Sequence, residues 1–246
     1  MITLRIAVIE CDVLAPQAHA KYGGYHNLYR KLLSKAAANM RPSPNLLVSS
    51  YNVHLLGSLP VLDEFDAILI TGSRYNAFDD EPWIQQLVSY VQSILSERRV
   101  RVLGVCFGHQ IVARALEGQN SVGRSRYGWE LGVTNVELTE RGRKVFRTSR
   151  LALHEMHRDE VLVASRQVEL LGSTAACVNQ GMYDYRRLFT IQAHPEYDED
   201  IVTELLQIRY SKGMLSERVY HDAMERAKLP HDGIVVGEAF LRFLLE

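Results

Sequence analysis

The sequence predicts an α/β fold in which a mostly parallel central sheet carries helices on both faces. Up to residue 118, short apolar runs typical of buried strands alternate with segments of helical spacing, which is the pattern of βαβ units. Beyond residue 118, two further apolar runs follow one another with no long helix between them. We therefore expect a small antiparallel patch before the parallel sheet resumes at about residue 189.

The first half of the chain supplies four predicted strands. The apolar start of the chain is expected to form the first of them, over residues 1–9. The next two are expected over residues 46–53 and 67–73, and the fourth begins at Val102. The third and fourth strands are each followed by a turn that contains glycine. We therefore expect each strand to end at that turn and a helix to follow.

Three helices are predicted between and after these strands. One follows a loop at residues 23–24, because three leucines come next at helical spacing. A second starts at Pro82, which follows three acidic residues, and should run to about residue 97. The third starts after the fourth strand and ends at Gly118.

The second half is expected to contain strands and then helices. The strands are predicted over residues 133–139, 162–165 and 189–193. The helices are predicted over residues 200–211, 216–228 and 237–245, and their apolar residues are expected to pack, with no chemistry implied. We expect one domain over residues 1–246, with a C-terminal helical extension from about 198 to 246.

Composition and charge exclude several classes of protein. The chain has 246 residues, of which 47% are hydrophobic and 23% are charged, and its formal net charge is −1. These values are typical of a globular protein that can bury a core, and they show no basic footprint for binding nucleic acid. The apolar start lacks the basic residues of a signal peptide, and no other run has the length of a membrane span, so no membrane contact is expected.

The three cysteines, Cys11, Cys106 and Cys177, are odd in number and widely scattered. Their spacing matches neither a disulfide framework nor a metal site, and free thiols suit a reducing compartment. We therefore expect a cytoplasmic protein.

A cysteine flanked by glycines marks the junction between the fourth strand and its helix. The segment Gly104-Val-Cys-Phe-Gly108 should place Cys106 at a sharp turn beside a helix N-terminus. The unpaired N–H groups there favour a thiolate, and the flanking glycines tolerate the strained backbone of a nucleophile elbow. From these residues alone, Cys106 is either a catalytic nucleophile or a small buried hydrophobic residue.

A histidine and a glutamate lie just beyond the strand predicted to end at residue 193. Pro195 favours an extended or turn conformation for His194, which precedes it. The imidazole could take a proton from a thiol and return it to a leaving amine, while Glu196 could hold the ring in the useful tautomer. Alone, His-Pro-Glu is more often a solvated turn, but its combination with the cysteine elbow is far more specific.

Together, the segments Gly104-Val-Cys-Phe-Gly-His-Gln110 and His194-Pro-Glu196 resemble the class I glutamine amidotransferase family. The resemblance implies a flavodoxin-like fold and hydrolysis of a glutamine side-chain amide through a γ-glutamyl thioester. It makes Cys106 the nucleophile, His194 the general base and acid, and Glu196 the residue that orients the histidine.

The same resemblance implies an oxyanion hole. One donor would be the backbone N–H of Phe107, which directly follows the cysteine. The second would be the N–H of Gly72, the glycine that ends the third strand. The resemblance implies no cofactor.

Substrate-binding residues are expected around Cys106 and in two loops. The pocket near the cysteine should hold the γ-glutamyl group, and the leaving group should extend towards residues 74–78 and 22–25. A histidine-containing loop borders the glutamine pocket in the family, which adds His157. The expected substrate-binding residues are Gln110, Tyr22, Gly23, Gly24, Arg74, Tyr75 and His157.

The polar segment around His157 superficially suggests a metal site. Zinc-protease helices need histidines four residues apart with a glutamate directly after the first, and His154 and His157 are only three apart. We therefore expect no metal ion there.

Four further stretches resemble the stand-alone γ-glutamyl peptidases of plants and amidotransferase-like proteins of fungi. These stretches are Lys21-Tyr-Gly-Gly-Tyr25, Asp80-Glu-Pro-Trp-Ile84, Gly128-Trp-Glu-Leu-Gly132 and His157-Arg-Asp-Glu-Val161. The resemblance covers residues 6–197 or so and implies γ-glutamyl peptides, such as glutathione and its conjugates, as substrates. The chain departs from the plant enzymes at Arg74, Tyr75 and Phe78, where those enzymes carry small residues.

Three functions remain open from the sequence. The first is hydrolysis of γ-glutamyl amides without a partner, so that the only partner is a small γ-glutamyl substrate. The second is a glutaminase subunit that passes ammonia to a separate synthase chain. The third is a non-catalytic binding protein that keeps the fold, against which the intact Cys106, His194 and Glu196 count.

Overall fold

A computed structural model describes residues 2–246, so Met1 of the predicted first strand lies outside the described residues. The strands are β1 (Thr3–Glu10), β2 (Asn45–Asn52), β3 (Ala67–Ile70), β4 (Arg101–Val105), β5 (Val122–Arg124), β6 (Glu130–Leu138), β7 (Leu151–His157), β8 (Asp159–Val161), β9 (Glu169–Leu170), β10 (Gly172–Ser173), β11 (Gly181–Asp184) and β12 (Leu188–Ile191). The helices are α1 (Pro16–Tyr22), α2 (Tyr25–Asn39), α3 (Val53–Leu56), α4 (Pro82–Glu97), α5 (Phe107–Glu117), α6 (Glu140–Phe146), α7 (Glu199–Ser211), α8 (Glu217–Ala227) and α9 (Gly233–Leu245).

The central sheet has seven strands in the order β2-β1-β3-β4-β12-β11-β9. The first five of these strands are parallel, and β11 and β9 add an antiparallel edge. Strands β3, β4 and β12 lie side by side, so their carboxyl ends open at the same edge of the sheet. Open α/β sheets place their sites at this edge.

Helices cover both faces of the sheet, as predicted. Successive residues of β1 alternate between two cores, because side chains of a strand point to opposite faces. Ile6 and Val8 pack in the core that includes α2, α7 and α9, whereas Ala7 and Ile9 pack in the core that includes α4 and α5. Strand β3 is buried along its whole length, which explains why its sequence is a continuous apolar run.

The antiparallel patch forms two small sheets, β10-β6-β7 and β5-β8. The strand predicted over residues 162–165 is wrong, since β8 ends at Val161. Only three residue pairs join β5 to β8, and the N–H groups of Leu162 and Val163 both donate to the carbonyl of Ser121 instead. The side chains of Leu162 and Val163 are therefore about half exposed, so their apolar character does not indicate a buried strand.

A helix that the sequence analysis missed precedes the loop at Gly23 and Gly24. Helix α1 buries only Ala18, so it has no apolar periodicity to reveal it. Glu204 of α7 accepts hydrogen bonds from the N–H groups of Gln17 and Ala18 at 2.8 and 2.7 Å, which satisfies the free donors of its first turn. Gly23 and Gly24 have φ angles of +76° and +122°, which helical residues do not adopt. They therefore end α1 as well as preceding α2.

Most other predicted elements differ from the structure by one to three residues at their ends. The last helix begins at Gly233, four residues before its predicted start. Within residues 2–246, no helix is both long and apolar enough to cross a membrane.

Candidate active site

Cys106 lies at the turn between β4 and α5, in a strained backbone conformation. Its φ and ψ angles are 51° and −103°, a region that costs a non-glycine residue about 1–3 kcal/mol. Its N–H donates to the carbonyl of Ile191 in β12 at 2.9 Å, which ties the elbow to the neighbouring strand. The cysteine is thus held at the N-terminus of α5 by the sheet itself.

The two glycines that flank Cys106 allow the backbone of α5 to pack closely against the sheet, and neither of them carries the strained conformation. A Cβ atom on Gly104 would lie 2.7 Å from the carbonyl oxygen of Gly108. A Cβ atom on Gly108 would lie 2.3 Å from the carbonyl oxygen of Ile70 in β3. Helix α5 can therefore approach both β3 and β4 closely, and the positive φ belongs to Cys106 itself.

His194 and Glu196 follow β12 at the same edge of the sheet. Glu196 Oε1 lies 2.9 Å from His194 Nδ1. This hydrogen bond leaves the other ring nitrogen, Nε2, available for proton transfer. The His194 backbone N–H donates to the carbonyl of His154 at 2.8 Å, and Tyr197 stacks on the ring with centroids 4.0 Å apart. The imidazole is therefore fixed on several sides.

The charge state of His194 follows from its neighbours. Burial disfavours its charged form, but the Glu196 carboxylate and the Cys106 side chain outweigh burial and raise the pKa of His194 to about 10. At neutral pH this histidine is positively charged. A positively charged imidazole beside a cysteine favours the nucleophilic thiolate.

Gly72 and Phe107 are the two residues expected to donate to an oxyanion. Phe107 is the first residue of α5, and Gly72 lies two residues beyond β3. Within residues 2–246, the N–H groups of these two residues donate no hydrogen bond. Both groups are thus free to bind a developing negative charge on a substrate oxygen.

We expect replacement of Gly72 by alanine to lower activity by about 10- to 100-fold, because misplacement of a catalytic group by about 1 Å costs that much. The new Cβ atom would lie 2.6 Å from His194 Cε1, so the ring or the loop must move. Steady-state kinetics would measure the loss. Gly57→Ala is the matched control, since its Cβ meets nothing within 4 Å and adds only backbone strain at φ +60°. Equal activity of Gly72→Ala and Gly57→Ala would contradict the assigned position of His194.

Replacement of Glu196 by glutamine is expected to lower kcat by about 10- to 1,000-fold, less than loss of the nucleophile or base, because an orienting residue acts through the histidine. An amide can still contact His194 Nδ1 but cannot stabilise its positive charge. The exposed residue Glu199 offers a matched control, Glu199→Gln, which should keep the wild-type rate. Unchanged kinetics in Glu196→Gln would assign the orienting role elsewhere.

Two adjoining cavities open at this edge of the sheet. A cavity of about 80 Å³ contains Cys106, and one of about 600 Å³ begins at His194. The walls that they share are Ser73, Arg74, Trp129, Met156, Arg209 and Met214. A ligand that reaches the cysteine can therefore extend into the larger space.

Four of the residues expected to bind substrate line the smaller cavity: Gln110, Arg74, Tyr75 and His157. Gln110 is fixed, because its side-chain N–H donates to the carbonyl of Asp159 at 2.9 Å and to Gln192 at 3.0 Å. The Arg74 guanidinium pairs with Asp12 at 2.7 Å. The Tyr75 hydroxyl is within 2.9 Å of His54 Nε2.

The other three expected residues, Tyr22, Gly23 and Gly24, line neither cavity. The Tyr22 hydroxyl donates to Asp198 at 2.6 Å, so this residue ties α1 to the start of α7. Of this segment only Tyr25 lines the larger cavity, where its hydroxyl lies 3.1 Å from that of Tyr197.

His157 lies between two buried carboxylates. Its Nε2 is 3.0 Å from Glu130 and 3.2 Å from Glu155, and its Nδ1 is 3.0 Å from the carbonyl oxygen of Asp159. Both nitrogens face acceptors, so both carry protons. Although burial opposes the charge, these carboxylates raise the pKa of His157 well above its ordinary value. A second imidazolium therefore lies beside the cysteine cavity.

The same three side chains have the spacing of a metal site. Ligand atoms of Glu130, Glu155 and His157 lie within 4.8 Å of one another. A metal would need the lone pair of His157 Nε2, whereas the contacts of this ring suit a proton there. The charged imidazole accounts for the geometry of His157 without a metal ion.

Sequence reasoning missed the contribution of α7 to the larger cavity. Leu205, Ile208 and Arg209 line it, although the sequence analysis gave these helices only a packing role. Trp129 belongs to the segment Gly128-Trp-Glu-Leu-Gly132, which the sequence analysis identified by resemblance. The sequence did not indicate that this side chain would line both cavities.

Comparisons with known proteins show which proteins this chain resembles. The chain is 32% identical over 246 residues to a glutamine amidotransferase-like protein of Schizosaccharomyces pombe, covering 98% of both chains. It is 32% identical over 201 residues to gamma-glutamyl peptidase 4 of Arabidopsis thaliana, covering 77% of this chain and 74% of the relative. A glutamine amidotransferase of Thermotoga maritima has a similar fold, with a TM-score of 0.74 over 99% of both chains at 18% identity.

The family model for glutamine amidotransferase class-I matches residues 28–205, which include the elbow and the His-Pro-Glu segment. The fold prediction is confirmed by the structural neighbour, and the family prediction by the family model and the relatives. The chain belongs to the class I glutamine amidotransferase family.

Proposed function

We propose that this protein is a cysteine-dependent hydrolase of γ-glutamyl amide bonds. The observation that carries the proposal is the meeting of three elements at one sheet edge: the strained Cys106 elbow, the His194–Glu196 pair at 2.9 Å, and the free N–H groups of Gly72 and Phe107. Nucleophile, base, orienting carboxylate and oxyanion donors are the parts that acyl transfer needs.

The chemistry takes two steps. The Cys106 thiolate attacks the γ-carbonyl carbon, the N–H groups of Gly72 and Phe107 stabilise the oxyanion, and the C–N bond breaks as His194 protonates the leaving amine. A γ-glutamyl thioester remains on Cys106. His194 then takes a proton from water, whose oxygen attacks the thioester carbonyl, and the C–S bond breaks to release glutamate and restore the thiolate–imidazolium pair.

The sizes of the two cavities favour γ-glutamyl peptides over glutamine. Ammonia, the leaving group of glutamine, would gain nothing from a neighbouring space of about 600 Å³. A peptide-like leaving group could bury apolar surface against Trp129 and Met156, and an aromatic contact of this kind is worth about 1–3 kcal/mol. If realised in the transition state, this difference corresponds to a preference of about one to two orders of magnitude.

The test compares kcat/KM for glutamine, glutathione and a glutathione S-conjugate on the purified chain, with Cys106→Ala to subtract contaminating activity. We expect glutathione or its conjugate to exceed glutamine by about 10-fold or more. A preference for glutamine, or turnover only after a cell-extract fraction is added, would favour the glutaminase subunit of a separate synthase. Binding without any turnover would favour a non-catalytic protein.

We also propose that residues 1–246 act as one unit, since α7 of the C-terminal extension supplies walls of the larger cavity. The proposed partner is a small γ-glutamyl substrate, without nucleic acid or membrane. We propose that the protein is located in the cytoplasm, because Cys11, Cys106 and Cys177 are all free thiols.

A further inference from the structure

Two arginines lie against the ring of Trp129, which lines both cavities. The guanidinium of Arg158 is 5.2 Å from the Trp129 ring and that of Arg209 is 5.1 Å from it. Arg158 lines the smaller cavity, Arg209 lines both, and Lys212 adds a further positive charge to the larger one. The walls of the site are therefore rich in cations.

These cations differ from the other charged residues of the site, because no carboxylate neutralises them. The acidic side chains that line the cavities are Asp12 and Asp159, and each already pairs with an arginine, Arg74 and Arg124 respectively. Within residues 2–246, Arg158, Arg209 and Lys212 form no salt bridge, and Arg209 donates only to the carbonyl of Leu205, at 3.2 Å.

Buried donors in the same place also lack acceptors. Trp129 Nε1 and Arg158 Nε are buried and have no hydrogen-bond partner among the described residues. Burial lowers the pKa of Arg209, and the groups that oppose this effect include Tyr25, Tyr197 and Cys106. Arg209 therefore belongs electrostatically to the site rather than to the outer surface.

Stabilisation of a helix end does not account for this arrangement. Arg209 and Lys212 are at the C-terminal end of α7, where positive charges stabilise a helix by about 0.3–1 kcal/mol. An exposed side chain achieves this without burial against an indole ring. Arg209 is only partly exposed, and a guanidinium held there without an acidic partner is costly; a carboxylate ligand would supply the missing partner, and the exposed Lys212 adds charge at the rim.

We propose that Arg209 and Lys212 bind a carboxylate on the leaving group of the substrate, with Trp129 packing beside it. This inference rests on the proposed hydrolysis of γ-glutamyl amides and narrows its substrates to γ-glutamyl peptides that end in a free carboxylate. One wall of the larger cavity is apolar, being lined by Leu14, Ile201, Leu205 and Ile208, and it can take an apolar side chain of the same peptide.

The test compares glutathione with its C-terminal amide, which differ only in the terminal carboxylate. For the wild-type protein we expect kcat/KM to be about 10-fold or more higher for the acid, mainly through KM, because a hydrogen bond to a charged group has this effect. In Arg209→Met this preference should fall to about 2-fold or less, since methionine keeps the packing on Trp129 but not the charge. Arg209→Lys should restore part of it.

A matched control is Arg218→Met, which removes an exposed arginine of α8 and should keep the wild-type preference. Thermal unfolding of each variant checks that the fold is intact. An equal preference in wild type and Arg209→Met would overturn the assignment. So would a loss of rate in Arg209→Met that is the same for both substrates, since Arg209 would then bind the γ-glutamyl part.

Binding of the same two peptides to Cys106→Ala separates this inference from the proposed function. If neither peptide is hydrolysed by the wild type, the hydrolase proposal fails, and calorimetry on Cys106→Ala still reports whether the acid binds about 10-fold more tightly than the amide. If both are hydrolysed but bind and react equally, the carboxylate subsite is refuted and the hydrolase proposal stands.

Discussion

Replacing Cys106 with alanine is expected to lower turnover of every γ-glutamyl substrate by about 10⁴-fold or more, because the covalent route is lost with the nucleophile. Folding should survive, since alanine fits the space of a buried thiol. The measurement is kcat on the best substrate, with thermal unfolding as the check on the fold. Activity of Cys106→Ala above one per cent of wild type would contradict the proposed role.

Chemical labelling provides an independent control for the same residue. An electrophilic glutamine analogue should modify Cys106 and spare Cys11 and Cys177, because burial raises the pKa of both other thiols well above the usual range. The two spared cysteines are also almost wholly inaccessible. Equal labelling of the three cysteines would show that Cys106 has no special reactivity.

Replacing His194 with glutamine is expected to lower kcat by about 10³- to 10⁴-fold, because it removes both the positive charge beside the thiol and the acid that protonates the leaving amine. The exposed His221 of α8 offers a matched control, and His221→Gln should keep the wild-type rate. Comparable rates for His194→Gln and wild type would reassign the base.

The charge of His194 also has a pH signature. Its folded-state pKa of about 10 is above its ordinary value of 6.5, so its charge stabilises the fold fully below about pH 6.5, and this stabilisation is lost as pH rises to about 10. Side-chain NMR should show a positively charged His194 at pH 7.5, with the signal absent from His194→Gln. A neutral His194 ring at that pH would contradict the thiolate–imidazolium pair.

The sequence was sufficient to predict that the Cys106 and His194 segments meet at one edge of the sheet, because the motifs are local and the topology is simple. Each motif directly follows a short apolar strand, and parallel strands bring their carboxyl ends together. In the structure Ile191 of β12 pairs with Val105 of β4, so the residues that follow them, Cys106 and His194, meet. Their separation of almost ninety positions in the sequence is bridged by one sheet pairing.

The larger cavity was not predictable in the same way. Its far wall comes from α7, whose Arg209 and Leu205 have the spacing of an ordinary packing helix. Helix α1 was missed because Glu204, remote in sequence, satisfies its first turn. Tertiary contacts of this kind carry no signal in local spacing.

The surroundings of His157 also depend on the tertiary structure. Sequence spacing was sufficient to exclude a zinc-protease helix, but Glu130, from the neighbouring strand β6, enters only through the pairing of Glu130 with His157. The resulting imidazolium between two carboxylates is therefore a property of the β6–β7 hairpin rather than of the His-containing segment alone.

Trapping of the covalent intermediate tests the central proposal most directly. The wild-type protein would be mixed with glutathione, quenched in acid within one turnover, digested and analysed by mass spectrometry. The proposed mechanism predicts a γ-glutamyl group on the peptide that contains Cys106, which disappears in Cys106→Ala and builds up in His194→Gln less than in wild type. Steady turnover with no adduct, or an adduct on Cys11 or Cys177 instead, would contradict it.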